Sequence, residues 1–128
     1  MNIYLLDTHT PLWALGEDSK LSQCAKDTLG DSEAGLFISV VSAWEVTIKI
    51  SLGKLRYQGG VQRFLEQLKN AGLIILPIEE NHLIALEKLA YIHRDPFDRL
   101  LIVTALTEGM TILTADEKIS QYEVPTLW

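Results

Sequence analysis

The sequence is short of cysteine, of basic charge and of long apolar runs. It holds one cysteine, Cys24. That excludes an intramolecular disulfide and a thiolate zinc centre. Cys24 recurs with Leu21, Ala25 and Leu29 at helical spacing, so it reads as a small core residue. Lys and Arg number 11 against 17 Asp and Glu, for a net charge of −6 and a pI of about 4.9. This balance argues against nucleic-acid binding over a broad basic face. Such a chain can act on phosphates only where something else supplies positive charge. The longest stretch without a charged residue, Ala34 to Trp44, has eleven residues. A membrane-spanning helix needs roughly 20. Met1-Asn2-Ile3 leads almost at once to Asp7, without the basic and apolar regions of a secretion signal. A soluble, cytoplasmic protein is expected.

What is present suits one domain over residues 1–128. Hydrophobic residues make up 48% and charged residues 22%, which excludes disorder. At this length about two-thirds of the unfolded chain's surface is buried on folding, enough for a core without staples. Short aliphatic runs recur at Ile3–Leu6, Leu36–Val41, Leu73–Leu76 and Thr111–Leu113. Their continuous apolar character suits strands buried on both faces of a parallel sheet. Val124 to Leu127 adds an expected edge strand, where Pro125 is tolerated. Helical periodicity fills the gaps. Leu21 to Leu29 stops at Gly30, Val61 to Leu68 stops before Gly72, and Leu83, Leu86, Leu89 and Ala90 mark a third helix that opens near Glu80. Phe97 to Leu106 is apolar nearly all round and should be central. The expected architecture is an α/β sandwich: a mainly parallel sheet of four to five strands flanked by helices.

Open α/β sheets bind ligands at the carboxyl ends of their strands. Asp7 directly follows the first run. Glu45 lies just beyond the second, Asp116 just beyond the fourth, and Asp98 in the first turn of the buried helix after Asp95-Pro96. Each has an ordinary explanation as a helix cap. Ser42 and Glu45 have capping-box spacing, and Asp95 and Pro96 suit the N-cap and first helical position. Capping does not explain why four acids gather at one sheet edge. Two carboxylates about 5 Å apart repel by roughly 3 kcal/mol at an effective dielectric near 20. Gathering them implies a cation or shared protons. With no thiolate or histidine pair at ligand spacing, an all-oxygen site for Mg²⁺ or Mn²⁺ is the expected cation site. Such an ion can activate water against a phosphodiester, and it supplies the missing positive charge.

The motifs resemble a known family. Leu5-Leu6-Asp7-Thr8-His9-Thr10-Pro11-Leu12-Trp13 is similar to the opening of PIN-domain proteins. Ser39 to Val46, around Glu45, resembles their second acidic motif; His93 to Leu101, around Asp98, the third; Leu113 to Asp116 the fourth. The resemblance spans the whole chain and is strongest to the VapC-type toxins of bacterial type II toxin–antitoxin systems. It implies a Mg²⁺- or Mn²⁺-dependent ribonuclease. It also implies an antitoxin partner, and a homodimer or toxin–antitoxin hetero-oligomer. By that likeness Asp7 and Asp98 are the principal metal ligands, with Glu45 and Asp116 completing the catalytic site. Thr8 and Thr114 match hydroxyl positions beside the quartet.

Lys49, Arg94 and Arg99 are candidates for contact with RNA phosphates. Lys49 equally suits an i,i+4 pair with Glu45, and Arg99 a pair with Asp95. Trp13, Trp44 and Trp128 suit core or interface better than base stacking. His93 is the one histidine placed to serve as acid or base. Two phosphoryl-transfer families also begin with an aspartate after a first strand. The haloacid dehalogenase type wants a second aspartate where His9 stands. A receiver domain wants an acidic pair where Leu5 and Leu6 stand. The alternative from another class is a non-catalytic PIN-fold domain that binds RNA or protein without cutting.

Overall fold

Ile3–Leu6 (β1) is the middle strand of a five-stranded sheet ordered β3-β2-β1-β4-β5. Gly35–Ser39 is β2, Ile74–Leu76 β3, Thr111–Leu113 β4 and Thr126–Leu127 β5. The computed structural model describes residues 2–128. Every neighbouring pair is parallel. The register sets Leu6 opposite both Ile38 and Leu113. The next residues, Asp7, Ser39 and Thr114, therefore emerge together at the carboxyl edge. Strand order reverses direction between β1 and β4, which is where such sheets open a crevice.

The helices are His9–Gly16 (α1), Gln23–Leu29 (α2), Val40–Ser51 (α3), Gly60–Asn70 (α4), Glu80–Lys88 (α5), Pro96–Glu108 (α6) and Glu117–Ser120 (α7). The core divides into three buried clusters. Leu5, Leu101, Ile102 and Ile112 centre the first, Leu6, Ala25 and Leu113 the second, and Ile38, Val46, Phe64 and Leu68 the third. Leu5 and Leu6 point to opposite faces, so β1 joins two of these clusters.

Several boundaries depart from the sequence expectation. The second strand stops at Ser39, because the Ser39 hydroxyl accepts the Val41 N–H and starts α3 two residues earlier than the apolar run suggests. The capping box from Ser42 to Glu45 is therefore absent, and Ser42 is a buried residue inside α3. On α5 the buried position is His82, whereas Leu83 is 52% exposed. His82 Nδ1 accepts the Glu79 N–H at 3.1 Å, and its Nε2 meets Glu108 Oε1 at 3.2 Å. That pairing fixes which face of α5 turns inward. Cys24 is half-buried at the rim of α2; Ala25 is its fully buried neighbour. Among the described residues no helix is long and apolar enough to cross a membrane.

Candidate active site

Asp7 is the first residue past β1, and its N–H donates to the Leu113 carbonyl at 3.2 Å. Its side chain is buried. Oδ1 accepts from the Thr10 N–H at 2.9 Å and the Thr10 hydroxyl at 2.7 Å. These bonds satisfy donors in the first turn of α1, so Asp7 starts that helix from one position before its N-cap. Oδ2 accepts from the Thr114 hydroxyl. Thr114 Oγ1 in turn accepts the Asp116 N–H at 3.0 Å, so one threonine bridges the ends of β1 and β4. Asp116 caps α7 by accepting the Lys118 N–H at 2.9 Å.

Glu45 reaches the same edge from α3. Its Oε1 accepts from the Thr8 hydroxyl at 2.8 Å. With its single proton committed to that carboxylate, Thr8 Oγ1 accepts from Ser42 Oγ at 3.0 Å. Glu45 Oε2 pairs with Lys49 Nζ at 3.1 Å, one turn along. Helix capping therefore plays no part in the position of Glu45. No local pattern announces the Ser42 contact with Thr8, which spans 34 residues.

Asp98 is the third residue of α6, where Asp95 supplies the cap by accepting the Phe97 and Asp98 N–H groups at 2.9 and 3.2 Å. Burial, more than any neighbour, pushes the Asp98 carboxyl up to about 6. The charges of Asp95 and Asp116 add to the rise, and a hydrogen bond from His93 opposes it. Asp98 and Asp116 thus feel one another across the crevice, although 18 residues separate them in sequence. His93 Nε2 lies 3.2 Å from Asp98 Oδ2.

Among the described residues no three His, Cys, Asp or Glu side chains are grouped closely enough to hold an ion alone. The acids instead form linked pairs: Asp7 with Asp116 through Thr114, and Asp98 with Asp116 by charge. All are hard oxygen donors. One or two carboxylates, with water and substrate phosphate completing the shell, is how Mg²⁺ is usually held. The donor set fits that ion.

The cations separate into distinct roles. An open groove of about 580 Å³ runs from Glu45 and Asp95 between Lys49, Lys54, Arg94 and Phe97. Arg94 is exposed along it. Trp44, 59% exposed, stands against Phe97 edge-on with ring centres 5.3 Å apart. Arg99, expected at a phosphate, is 4% exposed and turned inward. Its Nη1 donates to the Ala90 carbonyl at 2.7 Å and Tyr122 Oη at 3.1 Å, and its Nη2 to the Leu89 carbonyl at 3.1 Å. Those acceptors use its fork within the fold, and it makes no pair with Asp95. Trp13 and Trp128 pack on each other at 5.8 Å beside the second core cluster.

Known proteins are similar to this chain in sequence and in fold. Ribonuclease VapC22 of Mycobacterium tuberculosis is 25% identical over 138 residues, covering 100% of both chains. The structure of VapBC2 from Rickettsia felis, bound to a DNA fragment from the promoter, superposes with a TM-score of 0.78. The match covers 98% of this chain and 97% of that one at 17% identity. DNA-bound VapBC from Salmonella typhimurium gives 0.70 at 15% identity, covering 99% and 98%. The sequence model of the PIN domain matches residues 4–125. With that match over nearly its full length, the chain belongs to the PIN domain family.

Proposed function

We propose that residues 1–128 form a single-domain, metal-dependent endoribonuclease, the toxin of a type II toxin–antitoxin pair. The observation that carries this reading is the acidic crevice between β1 and β4: Asp7 and Asp116 bridged by Thr114, with Asp98 coupled to Asp116 by charge. Likeness to a VapC ribonuclease over the full length of both chains supports it. Asp7, Asp98, Glu45 and Asp116 would hold Mg²⁺ or Mn²⁺. Bound there, such an ion would supply the charge that lowers the pKa of a water and offsets charge on the leaving oxygen of a phosphodiester.

The chain's own residues do the rest. Thr114 and Thr8 each hold one carboxylate oxygen, which fixes carboxylate direction. Arg94, Lys54 and Lys49 line the groove that leaves the site at Glu45, where successive RNA phosphates would lie. The partner is an antitoxin protein, and the working assembly is a homodimer or toxin–antitoxin hetero-oligomer in the cytoplasm. Structures of VapBC complexes with the same fold support that partner.

The test is cleavage of a mixed RNA pool by the purified chain, with chelator and with added Mg²⁺ or Mn²⁺. Cleavage should require the ion, and Asp7→Asn and Asp98→Asn should each abolish it. RNA binding without cleavage in either ion would favour the non-catalytic alternative. Metal-independent cutting, or wild-type rates in Asp98→Asn, would refute the site assignment.

A further inference from the structure

We propose that Tyr122 and Arg99 act through His93 as positioning residues that aim one fixed hydrogen-bond donor at Asp98. The catalytic part of this inference rests on the reading of Asp98 as a site carboxylate; the geometry stands without it.

Tyr122 is 4% exposed, just beyond α7. Its phenol oxygen meets three nitrogens. The His93 backbone N–H donates to it at 3.1 Å, and Arg99 Nη1 donates at 3.1 Å. His93 Nδ1 lies nearest, at 2.8 Å. A phenol oxygen accepts two hydrogen bonds and donates one. The backbone amide and the guanidinium can only donate, so they occupy both acceptor places. The single phenol proton is left for His93 Nδ1, since the other acceptor nearby, the His93 carbonyl, is at 3.4 Å. Nδ1 is therefore an acceptor. In the neutral ring the hydrogen then sits on Nε2, 3.2 Å from Asp98 Oδ2. The histidine tautomer follows from counting the partners of the Tyr122 phenol oxygen, 29 residues along the chain.

Arg99 holds the frame in which that count operates. It donates to the carbonyls of Leu89 and Ala90, and its guanidinium lies 3.9 Å from the centre of the Tyr91 ring. It thereby ties the segment joining α5 to α6, which carries His93, down onto α6, which carries Asp98. The His93 and Tyr122 rings also meet edge-on at 5.3 Å. His93 cannot turn or change tautomer without breaking bonds at both ring nitrogens. Asp98 Oδ2 is thus held by a constant donor, and Oδ1 is the oxygen left for other work. Partners of this kind, one step behind a ligand, typically change affinity or activity 10- to 100-fold.

The test uses the full chain, free of metal, with nitrogen NMR of the histidine rings at pH 8. His93 should show the Nε2–H form. Tyr122→Phe keeps the ring packing and removes the phenol proton, so His93 should become a mixture of tautomers. In RNA cleavage the same variant should lose about tenfold in kcat with KM little changed. A second pair keeps the test sound even where Tyr122→Phe folds poorly. His93→Gln places an amide donor at the Nε2 position, whereas His93→Asn keeps an acceptor near Nδ1 and loses the donor. The glutamine variant should keep most activity, and the asparagine variant should lose about tenfold or more. An Nδ1–H tautomer in the wild type, or equal cleavage by both variants, would overturn the proposal. Failure of the underlying reading looks different: Asp98→Asn would cut at the wild-type rate while His93 still showed Nε2–H. That result would remove the relay's catalytic role together with that reading.

Discussion

Neutralising Asp98 should stabilise the metal-free protein, by an amount that depends on pH. The side chain is 19% exposed, and its carboxyl is pushed from 3.8 to about 6, first by burial and then by Asp95, with Asp116 adding to the rise. A raised carboxyl favours folding while it is protonated. That contribution is fully present below the unfolded value near pH 4. It is lost as pH rises through about 6, because the folded chain must then carry a charge it solvates poorly. A shift of about 2 units corresponds to a ceiling of about 3 kcal/mol. Asparagine keeps an oxygen for the His93 donor but loses a favourable charge at the start of α6, worth about 0.3–1 kcal/mol. A net gain of about 1–2 kcal/mol is expected for Asp98→Asn above pH 7. In a domain of this size each kcal/mol moves the melting temperature by about 3–4 °C, so the variant should melt about 3–8 °C higher. The difference should vanish near pH 4. It should also shrink when Mg²⁺ is added, since an ion that binds only the folded wild type stabilises it by mass action. Thermal melts of both proteins from pH 4 to 8, with chelator and with Mg²⁺, decide the matter. A lower melting temperature for metal-free Asp98→Asn, constant across pH and indifferent to Mg²⁺, would show that Asp98 is only a structural residue of the helix start.

Three further outcomes follow from the geometry. Arg94→Ala should raise the KM for RNA several-fold with kcat nearly unchanged. The slope of log affinity against log salt should fall by about 0.7, the value for one phosphate contact on a single strand; an unchanged slope would remove Arg94 from the RNA path. Arg99→Ala should act on stability, because it strips donors from the Leu89 and Ala90 carbonyls and from Tyr122. A loss of about 2–4 kcal/mol in urea unfolding is expected, and a fully stable variant with weakened RNA binding would restore the phosphate role. Phe64, fully buried between Val46 and Leu68 and edge-on to Tyr57, should cost about 3–5 kcal/mol when cut to alanine, with RNA cleavage by the folded fraction unaltered.

The sheet was legible because its strands are buried on both faces and leave continuous apolar runs. β1 and β4 have the expected bounds to the residue. β2 was misjudged at its end, since Val40 and Val41 are as β-prone as the strand before them. The decision there belongs to Ser39, whose hydroxyl captures the Val41 N–H. α1 went unread because Pro11 falls inside it. Proline is tolerated in a first turn, where the missing N–H has no helical partner in any case. His82 could not be told from Leu83 by periodicity: its burial depends on Glu79 and Glu108, one near and one 26 residues away. At the site, the strand-end rule located Asp7 and Asp116 without tertiary information. The linkage of His93 to Tyr122 spans 29 residues, and that of Arg99 to Tyr122 spans 23. No local pattern announces contacts of that range, so the sequence offers Arg99 only as a phosphate contact or a partner of Asp95.

Helix capping and a gathering of acids at one sheet edge coexist in the fold for an electrostatic reason. α1, α3 and α7 begin directly after β1, β2 and β4, and α6 ends just before β4. In a parallel sheet all four therefore turn their N-termini toward the carboxyl edge. Each helix start carries the equivalent of about half a positive charge. Four of them supply up to about two charges along the edge that carries Asp7, Glu45, Asp98 and Asp116. That field offsets part of the repulsion among the acids, roughly 3 kcal/mol for a close pair, in a chain whose net charge is −6. Two of the acids strengthen the arrangement they depend on: Asp7 starts α1 through Oδ1 and meets Thr114 through Oδ2, and Asp116 caps α7. A carboxylate has two oxygens, and Asp7 spends one on the helix and turns the other toward the crevice. The offset is incomplete at Asp98, whose carboxylate has no backbone donor among the described residues to answer its burial, and its carboxyl is raised accordingly. An acidic chain can thus gather acids at one sheet edge, because backbone dipoles there supply positive potential, and cations such as Arg94 line the adjoining groove.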